Sequence, residues 1–75
     1  MNIKNLMKVT CQSQAIIIFD KNGNKIRETY NLELWKIRNT EEGKIFLSSQ
    51  IDLIEPIEII FESGNKCYGL KIVLK

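Results

Sequence analysis

Histidine is absent from the 75-residue sequence, which removes the commonest general base and the commonest metal ligand. Long apolar runs are absent too. The longest, Ala15-Ile16-Ile17-Ile18-Phe19, is far short of the roughly 20 residues a membrane span needs. The opening Met1 to Lys8 is charged, but the polar stretch Thr10 to Gln14 stands where a signal peptide would be apolar, so a cytoplasmic location is expected. Two cysteines, Cys11 and Cys67, make one disulfide at most and fall short of a four-ligand zinc set. No cofactor or metal is called for. Charge of one sign is scarce: 11 basic and 9 acidic residues leave +2. That is too little by itself to imply a nucleic-acid partner, which needs a concentrated basic stripe. No repeat, low-complexity tract or linker interrupts residues 1–75, and the length suits one domain.

What the sequence does have is isoleucine, valine, threonine and aromatics in segments punctuated by glycine and asparagine, a β pattern. A first strand from about Met7 to Asp20 leads into Lys21-Asn22-Gly23-Asn24. Asn22-Gly23 as a two-residue loop sets Phe19 opposite Ile26, Ile17 opposite Glu28 and Ala15 opposite Tyr30. Val9, Cys11, Ala15, Ile17, Phe19, Ile26, Tyr30, Leu32 and Leu34 then form a core face, which Ile45 and Leu47 are expected to join, with Cys11 inward and Cys67 outward. A second hairpin is expected to turn at Thr40-Glu41-Glu42-Gly43, with Gly43 as the left-handed residue and a third strand from Lys44 to Ser49. Pro56 is expected to open the fourth strand. Gly64-Asn65 as a two-residue loop sets Phe61 opposite Tyr68, Ile59 opposite Leu70, Ile57 opposite Ile72 and Glu58 opposite Lys71. Helical periodicity is confined to one turn at Ile3 to Met7. The expected fold is all-β: a small five-stranded antiparallel meander curled into a barrel or half-barrel sandwich, which protects its edges.

The reverse face of that meander carries Ile16, Ile18, Arg27, Trp35, Ile37 and Phe46, too apolar for a solvated face. Three readings compete: strands buried on both sides, a homo-oligomer or homodimer contact, and a site for another partner with Trp35 as anchor. Lys36, Arg38 and Lys44 gather near Trp35, with Lys8 opposite Ile37. An aromatic among cations can stack a base and hold a phosphate, and lysines extended over apolar surface fit the same pattern.

Catalytic groups are wanting. Glu58 and Glu62 have basic neighbours, Asp52 and Glu55 flank a corner, Ser48-Ser49 lacks a base, and Cys67 sits at a hairpin tip without a pocket. The four glycines are isolated, so no phosphate loop exists. An enzyme is not expected.

Lys4-Asn5-Leu6-Met7-Lys8 stands where a PilZ domain carries Arg-x-x-x-Arg, and Arg38-Asn39-Thr40-Glu41-Glu42-Gly43 stands at that family's Asp/Asn-x-Ser-x-x-Gly turn. Gly43 matches, Thr40 loosely, and Gly43 to Ser49 is similar to the following strand. From Lys4 to Phe61 the layout thus faintly resembles PilZ, and the resemblance implies a small β-barrel binding a cyclic dinucleotide. Lysines replace the clamping arginines and lack their planar fork.

The expected function is a non-enzymatic binding module recognising a macromolecular, most plainly protein, partner through an apolar and basic surface, with no membrane partner. One version is a small inhibitor or adaptor, such as a phage-type anti-defence protein. The alternatives are a nucleotide or single-stranded nucleic-acid binder and a structural subunit stable only as a homo-oligomer.

Overall fold

Helices interrupt the strand pattern at three places. A computed structural model, described for residues 1–60 and 63–75, has the order α1 (Ile3–Val9), β1 (Ala15–Phe19), β2 (Lys25–Tyr30), α2 (Asn31–Lys36), α3 (Glu41–Leu47), β3 (Ile51–Ile60) and β4 (Lys66–Leu74). The strands form one mixed sheet in the order β2-β1-β4-β3, with β1 parallel to β4 and the other pairs antiparallel. The expected five-stranded barrel is therefore incorrect: the described sheet has four strands and is open. Among the described residues no helix is long and apolar enough to cross a membrane.

Each helix has a local cause. In α1 the spacing of Ile3, Leu6 and Met7 buries one stripe, the i, i+3, i+4 pattern of a helix seated on a core. Asn2 and Asn5 cap its start reciprocally, each side chain accepting from the other's backbone amide at 2.8 and 3.0 Å. The segment expected to be the second hairpin is α2 and α3. Thr40 caps α3 by accepting from the Gly43 amide at 2.9 Å, and Glu41 and Glu42 fill the first turn, where carboxylates favour the helix dipole. Gly43 is not left-handed, since among the described residues positive φ is confined to Gly23 and Gly64. It lacks a side chain because a Cβ there would overlap the Ile37 carbonyl.

The helices cover the sheet face carrying Ile16 and Ile18. Those two, with Ile72, Leu34, Leu47, Ile3 and Met7, are almost fully buried, each such aliphatic contributing about 1.5–3 kcal/mol. The inside and outside of β1 are thus the reverse of the expected ones. Ala15↔Tyr30 and Ile17↔Glu28 pair as expected, but Ile17 and Phe19 lie on the face that no helix covers and are half-buried. The loop is one residue longer than expected. Asp20 pairs with Asn24, its amide donating to the Asn24 carbonyl at 2.9 Å, and Gly23 takes φ +86°. A bulge between Ile18 and Phe19 absorbs the extra residue and sets Phe19 opposite Lys25, not Ile26.

The last hairpin departs further. Ile60 pairs with Lys66, Ile59 with Cys67, Ile57 with Gly69 and Ile54 with Ile72, three residues out of the expected register. An odd shift moves Ile57 and Ile59 to the uncovered face. Glu58 meets Lys66 at 3.4 Å, and Lys71 meets Glu55 at 3.5 Å. Tyr68, expected opposite Phe61, pairs with Glu58; Phe61 and Glu62 themselves lie outside the described residues. Pro56 falls inside β3, an edge strand, where a missing backbone donor is tolerated. Cys11 is exposed, the reverse of the inward placement expected for it, while Cys67, paired with Ile59, is half-buried on the uncovered face as its outward placement required; both are free thiols.

Candidate functional site

Trp35 lies in the last turn of α2 and Arg38 just beyond it. Trp35 is half-buried and packs on the core. The Arg38 guanidinium sits 5.5 Å from the centre of its ring and donates through Nη1 to the Trp35 carbonyl at 2.6 Å. This cation–π contact and hydrogen bond fix the arginine against the tryptophan.

The pair forms one wall of a groove of about 550 Å³, whose other walls are Asn2 and Lys4 at the start of α1, Asn39 in the α2–α3 connection, and Lys44 and Ser48 on and after α3. Leu47 supplies an apolar lining. Among the described residues, three cations, Lys4, Arg38 and Lys44, line it, and no carboxylate does. Among the described residues none of the three belongs to an ion pair, whereas Lys25, Lys36, Lys66 and Lys71 each have an acidic partner. A chain with little net charge thus gathers unneutralised positive charge at one concave place.

The other nominated residues disperse. Lys36 pairs with Glu33 at 3.3 Å and does not line the groove. Ile37 and Phe46 pack partly on the core. With Arg27, whose guanidinium lies 5.1 Å from the centre of the Phe46 ring, they line a separate depression of about 310 Å³ that also contains Glu42. Ile16 and Ile18 are buried under the helices and present no surface to a partner or a second copy. Lys8 is exposed at the end of α1 and lines none of these depressions. The groove residues Asn2, Asn39 and Ser48 were not legible as site residues. The helical stripe of Ile3, Leu6 and Met7 was the available signal, since it turns Lys4 outward.

Beneath the groove's helices lies a polar junction. Asn31 is wholly buried, and its Nδ2 lies 2.8–3.1 Å from the Met7, Thr10 and Cys11 carbonyls and the Thr10 hydroxyl. Its Oδ1 has no partner. The side chain therefore closes the C-terminal end of α1 against the N-terminal end of α2, fixing the two elements that carry Lys4 and Trp35.

Among the described residues no three cysteine, aspartate or glutamate side chains converge to hold a metal. The Ser13 hydroxyl, 3.4 Å from Cys11 Sγ, holds that exposed thiol below its ordinary pKa. The barrel implied by the PilZ resemblance is replaced by an open mixed sheet, and its supposed turn is the capped start of α3. Neither a protein-family model, nor a curated protein, nor a solved structure matches the chain.

Proposed function

We propose that the protein is a non-enzymatic binding module that takes an acidic stretch of a protein partner into the groove between α1, α2 and α3. The observation supporting this is the set of three cations without carboxylate partners around the one tryptophan. Such a set attracts anions, and an aromatic with an arginine is a common binding anchor. A peptide carboxylate is favoured over a stacked base because Arg38 lies over the Trp35 ring and the core takes part of its remaining surface. A small inhibitor or adaptor acting inside the cell fits this chemistry.

Trp35, the single tryptophan, provides the assay. A glutamate-rich peptide titrated at low salt is expected to give a saturable change in tryptophan emission that weakens as salt screens the contact. Lys4→Ala and Lys44→Ala should each weaken it about two- to five-fold, the range for one exposed charge contact, and Lys8→Ala should leave it unchanged. A response to mononucleotides but not to the peptide would make the occupant a nucleotide. No response to either, or equal loss on Lys8→Ala, would remove the groove as the site.

A further inference from the structure

The sheet face opposite the helices is apolar where a solvated face would be polar. On β1, Ile16 and Ile18 point into the core while Ile17 and Phe19 point the other way. A strand apolar on both sides is the pattern of one covered on both sides. Pairing places Ile57 and Ile59 of β3 and Val73 of β4 on the same outer face, with Leu53 at its rim, 44% exposed.

Charge decides what could cover it. Among the described residues, the charged ones on this face are internally paired: Lys71 with Glu55 at 3.5 Å, its ammonium also 5.3 Å from the centre of the Phe19 ring, and Lys25 with Glu28 at 3.2 Å. These four charges cancel. An oppositely charged partner would gain little here, whereas a second identical face brings no net repulsion.

Area agrees. Strands of 5, 6, 10 and 9 residues, at ~3.3 Å rise and ~4.8 Å spacing, make a face of about 500 Å². Two copies would bury about 1,000 Å², the lower bound for a specific interface. The chain exposes 5132 Å², while a compact monomer of its 8.7 kDa mass is expected to expose about 4,700 Å².

We infer that the uncovered sheet face is the contact of a twofold homodimer, two sheets back to back with the helices outside. The basic groove lies in the helical layer, so both grooves stay open and face away from the contact. The dimer and the groove's ligand are therefore independent.

Sedimentation equilibrium across micromolar to near-millimolar protein tests it. The wild type should approach twice the chain mass of 8.7 kDa, and Ile57→Lys should weaken association at least about tenfold with circular dichroism unchanged. Leu53→Lys, at the rim, reads the same contact if Ile57→Lys unfolds. Ile45→Lys, on α3 and 71% exposed, should leave the mass unchanged. A wild type monomeric throughout, or a dimer indifferent to the lysines at Ile57 and Leu53, would overturn the inference.

Discussion

Replacing Asn31 with aspartate exchanges the amide NH2 for one oxygen and creates no cavity, so its cost reports hydrogen bonding and charge alone. The amide nitrogen has two protons and four oxygens within 3.1 Å, three of them carbonyls. A carboxylate placed there faces those carbonyls with nothing to donate, at zero exposure. Leaving a buried charge uncompensated costs about 3–5 kcal/mol, set against a total stability of about 4–11 kcal/mol for a chain of this length. At neutral pH Asn31→Asp should therefore lose from about a quarter to all of its stability. The sign of its pH dependence follows from burial, which raises the folded-state pKa of the new carboxyl above the unfolded value. The defect is smallest below about pH 4, the unfolded carboxyl value, and grows as pH rises through the folded pKa. Urea unfolding followed by Trp35 emission, at fixed protein concentration, measures it. A loss below about 1 kcal/mol at pH 7, less than one unsatisfied buried group costs, would refute the account of this junction. So would a loss that does not shrink on acidification.

Gly43→Ala sets a methyl group against the Ile37 carbonyl and the Thr40 hydroxyl and should cost about 1–3 kcal/mol of unfolding free energy by overpacking; a neutral result would mean that α3 does not approach that carbonyl. Thr40→Ala removes the cap of the same helix and should cost about 1 kcal/mol, read by thermal unfolding. The Asn24 backbone amide, then its side-chain amide, hold the Asp20 carboxyl below the ordinary 3.8. A lowered pKa means that the loop gains stability from this group above pH 3.8 and loses it as pH falls through the folded value. The amide shifts of Asn22 and Asn24 should titrate below 3.8 and cease to titrate in Asp20→Asn; a midpoint above 3.8 would contradict the hydrogen bonds.

Local turn chemistry was legible. Asn22-Gly23 marked a real hairpin, and the Ala15–Tyr30 and Ile17–Glu28 pairs followed from it. The inside of that hairpin was not legible, because Ala15 to Phe19 is apolar at every position and alternation carries no vote. The choice of face leaned on Leu32 and Leu34, which belong to α2 and obey a different period. Six- and seven-residue helices carry little hydrophobic periodicity: one turn at Ile3 to Met7 in α1, and none that stands out in α2 or α3. Their signals were the caps: Asn2 with Asn5, and Thr40 with two glutamates behind it. Trp35 and its cationic neighbours Arg38 and Lys44 were nominated from composition, and the α2–α3 connection brings them together. Arg27, Ile37 and Phe46 separated from them because that nomination assumed continuous strands.

The groove and the exposed sheet both depend on which side of β1 meets the helices. A methyl NOESY spectrum answers that directly. Cross-peaks from Ile16 and Ile18 to Leu6, Leu34 and Leu47 are predicted, with none from Ile17 to those leucines; cross-peaks from Ile17 to the helical leucines would contradict the account.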